Sequence, residues 1–290
     1  MSHFTVLVIG ENPEAQLAPF HEFECTSENN QYVVDVDVTE ETREKGLGYH
    51  GLGTRVVDDE SEVDREGAHK YGYAVIKNGV LVKAVNRTNP NAKWDWYVLG
   101  GRYTGFFKLK PGFSGETGTP GLMTEPATSG WVDQARKGAI DFEGMRNAAS
   151  ERARKRYRQF HQLIDGLPFP DSWETVLGRH SDTKEGIEEA RQEYFAQPVM
   201  AVLRKDDYFR WETDISRYTV TEAEFVQKAC DRAILCFAFV KDSKWYERGE
   251  MGWFACVTNE KPLGEWKQEF TQMLESLSDS TLLSVYDCHI

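Results

Sequence analysis

His3-Phe-Thr-Val-Leu-Val-Ile-Gly10 opens the chain with a β-branched apolar run, and Thr281-Leu-Leu-Ser-Val-Tyr-Asp-Cys-His-Ile290 closes it with another. Both have the length of a buried strand, and Gly10 and Pro13 end the first. A strand at each terminus predicts that the two ends pair in one central sheet, with the rest of the chain inserted between them. The sequence in between changes character twice. Residues 1–128 read as a β-rich part, 129–219 as a helical insertion, and 220–290 as the returning part of the same core. The expected fold is therefore α+β, a mixed sheet formed by N- and C-terminal strands with a helical insertion.

Local signals fill in this frame. Tyr71–Ile76 and Val80–Val85 flank Asn78-Gly79, the pair that supplies the two positive φ values of a type I′ hairpin turn. Ile234–Lys241 and Lys244–Glu247 make a second hairpin across Asp242-Ser243, and Met251–Val257 reads as a further strand. Trp94–Leu109 reads as two strands broken at Gly100-Gly101. Residues 110–130 hold five glycines and three prolines, which marks a linker or ordered loop. From Trp131 to Ile164 apolar residues recur at helical spacing, and Gly138 and Gly144 divide the stretch into a short and a long helix. Further helical pieces are expected at Thr183–Tyr194 and Val199–Tyr208. Thr221-Glu-Ala-Glu has the form of a capping box that starts a helix reaching Arg232. Pro262–Leu277 is amphipathic, with Trp266, Phe270, Met273, Leu274 and Leu277 on one side.

Charge restricts the partners. The 34 Lys+Arg against 47 Asp+Glu leave a net charge of −13, which argues against direct nucleic-acid binding, whose footprint is basic. An acidic surface suits docking onto a basic face of another protein. No apolar run has the length of a membrane span and the N-terminus lacks the features of a signal peptide, so no membrane association and a cytoplasmic location are expected. The five cysteines contain no CxxC pair, and Cys230, Cys236 and Cys256 lie in apolar stretches, where free cysteine packs as a small core residue. No cofactor and no metal are expected, since no ligand spacing or nucleotide fingerprint occurs.

Two clusters concentrate chemistry. Lys93-Trp-Asp-Trp-Tyr-Val-Leu-Gly-Gly-Arg-Tyr103 places Trp94, Trp96, Tyr97 and Arg102 within one strand-turn-strand. On a regular strand Trp94 and Trp96 would share one face, and Asp95 and Tyr97 the other. Gly100-Gly101 would allow a close approach, and Arg102 could reach an anion. Trp245-Tyr-Glu-Arg-Gly-Glu-Met-Gly-Trp253 adds Glu247 and Glu250 at a strand end. At the C-terminus, alternation puts Asp287 and His289 on one face and Cys288 on the other, and pairing of the terminal strands would bring His3 near them. Arg152–Arg158 is the one strongly basic run, a helix stripe of the kind that local acids usually pair. No catalytic residues are assigned.

Four segments carry a resemblance: the start MSHFTVLVIG, the centre KWDWYVLGGRYTGF, the segment WYERGEMGWF and the ending TLLSVYDCHI. Together they resemble a family of phage and prophage accessory proteins and span almost the whole chain except the helical insertion. The resemblance brings no catalytic residues with it. It implies a setting, action on host defence, and a role similar to that of the inhibitors of the Gabija immune complex. The expected function is thus binding and inhibition of a host defence protein complex. In that role Trp94, Trp96, Tyr97, Arg102, Glu247 and Glu250 would contact the partner, and a homo-oligomer would multiply weak contacts. The alternative is an enzyme acting on a nucleotide or modified base, with Arg102, Glu247 and Glu250 around an aromatic pocket.

Overall fold

The two terminal runs do pair. In the computed structural model of the chain, which describes residues 2–22, 30–212, 215–252 and 255–290, the first forms β1 (His3–Ile9) and the last forms β15 (Leu282–His289). They lie antiparallel, with His3 opposite His289 and Ile9 opposite Leu283. Between them the chain runs through α1 (Pro13–Leu17), β2 (Val34–Asp37), α2 (Thr39–Lys45), β3 (Val56–Val57), β4 (Gly72–Lys77), β5 (Val80–Thr88) and β6 (Trp96–Gly101). Short strands β7 (Phe107–Lys108), β8 (Thr119–Pro120), β9 (Trp131–Val132) and β10 (Gln134–Arg136) follow. Helices α3 (Phe142–Leu163), α4 (Trp173–Leu177), α5 (Lys184–Ala196), α6 (Pro198–Leu203) and α7 (Glu222–Arg232) come next. The last stretch holds β11 (Ala238–Lys241), β12 (Lys244–Glu247), β13 (Glu250–Met251), β14 (Val257–Thr258) and α8 (Leu263–Glu275) before β15.

The central sheet has the order β12-β11-β1-β15-β6-β8, with β10 also paired to β15. β1 runs parallel to β11 and β6 parallel to β8, whereas β15 is antiparallel to both β1 and β6. The sheet is mixed and the fold is α+β. Because side chains alternate along a strand, β1 serves two cores at once, which is why its sequence is almost uniformly apolar. Phe4, Val6 and Val8 join Tyr286, Cys288, Ala238 and Val240 beneath Leu17 and Phe20. This is the α1 face. On the opposite, α8 face, Phe239 stacks on Trp266 with ring centres 5.6 Å apart and meets Phe270 edge-on. Trp266 and Phe270 are buried, each contributing about 1.5–3 kcal/mol of apolar burial.

A second, four-stranded sheet has the order β2-β5-β4-β3. Its hairpin turns at Asn78 (φ 52°) and Gly79 (φ 78°), and the β11–β12 hairpin turns at Asp242 (φ 52°) and Ser243 (φ 56°). Both pairs have the positive φ values of a type I′ turn.

The chain divides into one unit of residues 1–141 and 236–290 and another of 142–235. These limits differ from the sequence reading at 128/129 and 219/220. Tertiary pairing explains both shifts. Residues 131–136 have helical spacing, yet Lys108 and Phe107 pair with β9, and Ser284 to Leu282 pair with β10, so they extend the sheet unit. A single 3-10 turn, Lys137–Ala139, stands in place of the expected short helix. At the other boundary α7, whose capping box at Thr221 and Glu224 forms as expected, packs on α3 through Tyr157 and Phe225. Residues 110–130 contribute β8, and at the strand expected over 251–257 the described residues form β13 and β14, which pair antiparallel with each other and not with the central sheet.

The helical unit is organised by Phe160, which stacks on Tyr218 with ring centres 3.8 Å apart inside a core that includes Val176, Ala190, Met200 and Leu203. The basic run on α3 is neutralised locally. Arg156 pairs with Glu212 at 2.6 Å and donates to the Tyr218 hydroxyl, while Arg154 and Arg158 both reach Glu222. Among the described residues no helix is long and apolar enough to cross a membrane. Cys25 and Trp253 lie outside the described residues.

Candidate functional site

The chain enters β6 through a bend at Asp95, and that bend decides which side chains meet. Trp94 precedes it and turns into the α1 face, where it is 5% exposed and its Nε1 donates to the Leu17 carbonyl at 3.3 Å. Its ring meets Tyr97 edge-on at 4.8 Å. Trp94 and Tyr97 are therefore neighbours, and the strict alternation expected from the sequence fails because the regular strand begins only at Trp96. Trp96 stands on the opposite side, 50% exposed, with its ring edge toward His3 at 6.2 Å.

Two histidine–aspartate pairs meet beside Trp96. His3 Nδ1 lies 2.9 Å from Oδ1 of Asp287, and His289 Nδ1 lies 2.6 Å from Oδ1 of Asp95. The β1–β15 register puts His3 directly opposite His289, and the imidazole centres are 4.9 Å apart. Each carboxylate fixes the orientation of its imidazole through Nδ1, which leaves the Nε2 edge as the chemically available one. Nε2 of His289 is buried and has no hydrogen-bond partner among the described residues. Glu22, whose N–H donates to the Trp94 carbonyl, has its carboxyl pushed up by burial and by Asp95. Such an arrangement can hold or relay a proton. Among the described residues no group of three or more His, Cys, Asp or Glu side chains could hold a metal ion.

The Gly100-Gly101 turn builds the roof of this cluster. Gly100 (φ 77°) and Gly101 (φ 53°) reverse the chain over the sheet, so that the Arg102 N–H donates to Oδ2 of Asp287 at 2.9 Å. The Tyr103 hydroxyl then donates to the His3 carbonyl at 3.1 Å. Burial and the nearby Asp287 push the Tyr103 phenol up to about 12. A Cβ at Gly101 would stand 2.5 Å from the Asp287 side chain, and one at Gly100 would stand 2.5 Å from Asp133 Oδ2. Asp133 is fully buried and accepts from the Thr104 hydroxyl and the N–H groups of Gly105, Phe106 and Gly118. One buried carboxylate thus gathers the loops that follow β6.

The six residues expected to contact a partner do not form one site. Glu247 sits with Trp245 on the α1 face, where it accepts from the Trp245 Nε1 and pairs with Lys93 at 2.6 Å. Trp94 and Tyr97 are on that face as well. Trp96 belongs to the histidine cluster on the other face, and the exposed Arg102 follows the turn above it. Glu250 is exposed in the β13–β14 hairpin and accepts from Thr258. Asp133 carried no signal in the sequence, and Asp95, expected on the face of Tyr97, meets His289 instead, whereas the paired glycines before Arg102 did signal that something approaches closely there.

Cys288 is buried on the α1 face, and burial pushes its thiol and that of Cys236 up. Cys256, expected to be in the core, is exposed, because the hairpin that carries it is short and lies outside the sheet. No family model, curated protein or solved structure matches this chain.

Proposed function

We propose that the protein is phage- or prophage-encoded and acts in the host cytoplasm by binding and inhibiting a bacterial anti-phage defence complex. The observation that carries this reading is Trp96, a large aromatic side chain half exposed on a sheet strand and backed by the ordered His3. A tryptophan side chain has only two rotatable bonds and so loses little conformational freedom on binding, and such residues dominate interface energetics. The net charge of −13 favours a partner with a basic face and speeds encounter with it. The resemblance of four sequence segments to phage accessory proteins implies the setting.

The test is a plaque assay on cells carrying one defence system at a time, with and without the protein, joined to co-purification of the two components. Restored plaquing with a complex of fixed stoichiometry supports inhibition by binding. Trp96→Ala should weaken both while the melting temperature stays close to wild type. Unchanged plaquing against every system tested, with no complex formed, overturns the reading.

The two His–Asp pairs favour a second reading, an enzyme acting on a nucleotide or modified base. Arg102 and Glu247 lie on different faces, so such an activity would be built on His3 and His289 rather than on the set expected from the sequence. His3→Gln and His289→Gln separate the two readings: they would abolish turnover, whereas an inhibitor that works by occupancy would retain its effect.

A further inference from the structure

Helix α1 covers only part of the α1 face, and beside it lies a cleft of about 640 Å³. Leu99 of β6, Tyr286 of β15, Glu14 of α1, and Glu116 with the residues leading into β8 line it. Glu14 also lines a second hollow of about 310 Å³, which Trp94, Asp95, Trp96 and Tyr97 share. Neither lining includes a lysine or arginine. Among the described residues the carboxylates of Glu14 and Glu116 have no hydrogen-bond or ion-pair partner.

Tyr286 supplies an independent observation. It is 3% exposed, it lines the cleft, and its hydroxyl has no hydrogen-bond partner among the described residues. The hydroxyl keeps some solvent access, and a ligand in the cleft could hydrogen-bond with it. Burial pushes the pKa of this phenol up, and Glu14 and Glu116 add to the effect. Burial and Glu14 do the same to Tyr97, whose ring meets Tyr286 edge-on at 5.4 Å. Two exposed carboxylates without counter-ions thus line one cleft with the Tyr286 phenol, and Tyr97 lies beside Tyr286 in the adjoining hollow.

We propose that this cleft receives an arginine side chain of the partner protein, with Glu14, Glu116 and the Tyr286 hydroxyl accepting from the guanidinium. This rests on the binding reading above and names what the partner presents. The chemistry selects guanidinium over ammonium. A flat, weakly hydrated cation with five donors can satisfy two carboxylates and a hydroxyl together, whereas a lysine is a strongly hydrated point charge.

The test uses the full chain with 13C-labelled tyrosine rings, titrated with N-acetyl-arginine methylamide and followed by NMR, with Tyr286→Phe and Tyr97→Phe for assignment. A saturable shift of the Tyr286 and Tyr97 signals is expected. It should be absent with the neutral N-acetyl-citrulline methylamide and at least tenfold weaker in affinity in Glu14→Gln/Glu116→Gln. Those side chains make no hydrogen bonds, so melting of the double variant should match wild type, and Glu265→Gln on α8 serves as a charge control. No saturable shift, an equal response to citrulline, or an undiminished response in the double variant overturns the proposal. Equal affinity for N-acetyl-lysine methylamide overturns the choice of guanidinium. The titration needs no partner, so it stands or falls separately from the plaque assay. Should the double variant lose the probe yet inhibit as wild type does, the cleft's role in the partner contact is overturned while inhibition by binding survives.

Discussion

His3 Nδ1 and Asp287 Oδ1 stand 2.9 Å apart across 284 residues of sequence, tying the first strand to the last at the end of the central sheet. The side chain of Asp287 is 1% exposed, and its second oxygen holds the Arg102 N–H. Asp287→Ala removes both acceptors at a buried place and leaves His3 Nδ1 and the Arg102 N–H without that partner, which should cost about 1–3 kcal/mol for each group left unsatisfied. Asp287→Asn keeps an acceptor and should cost less. Urea unfolding followed by circular dichroism measures both, and an Ala variant within about 1 kcal/mol of wild type would show that this tie contributes little.

Gly100 and Gly101 each stand where a side chain would collide with a buried carboxylate, and both have positive φ. Gly101→Ala combines the left-handed backbone penalty with displacement of Asp287. We expect a loss of at least about 2 kcal/mol. Gly79→Ala, which has positive φ but open space around it, should cost about 1–2 kcal/mol. Equal effects at the two positions would show that the carboxylate contact adds nothing.

Trp94 and Trp96 should separate stability from binding. Trp94→Ala empties a buried site and is expected to cost about 3–5 kcal/mol. Trp96→Ala should stay within about 1 kcal/mol in stability while reducing inhibition of the defence complex. Added salt should weaken the wild-type complex, because exposed charges are screened.

Alkaline titration should expose Tyr103. Its phenol ionises in the unfolded chain near the ordinary 10 but is pushed up to about 12 in the fold, so the native state keeps the proton longer. The stability linked to that difference is fully present below pH 10 and is lost as the pH rises through 12. Phenolate absorbance near 295 nm should show a late-ionising step that Tyr103→Phe diminishes. A profile identical to that of the variant would contradict the assignment.

Thiol reagents should distinguish the cysteines by burial. Cys256 is exposed and should react in the native protein, while Cys236, buried and pushed up to about 12, and Cys288 should react only on unfolding. Mass mapping after brief labelling at pH 8 reads this directly. Fast native labelling of Cys288 would contradict its place under α1.

The strand character of the two chain ends could be read from residues 3–10 and 281–290 alone, because a strand buried on both faces must be apolar at nearly every position. So could the Asn78-Gly79 hairpin, the capping box at Thr221 and the alternation that puts Asp287 and His289 on one face, since each depends on neighbours in sequence. What periodicity could not decide was anything fixed by a distant partner. Residues 131–136 carry a helical pattern but become strands because β7 and β15 offer them hydrogen bonds. Trp94 is buried and Trp96 exposed because the bend at Asp95 lets its carboxylate meet His289, a contact spanning 194 residues. The paired glycines announced a close approach, but only the tertiary structure shows that Asp133 and Asp287 are what approaches. Local sequence fixes which way a side chain points on a strand, and the strand that arrives beside it fixes what it meets.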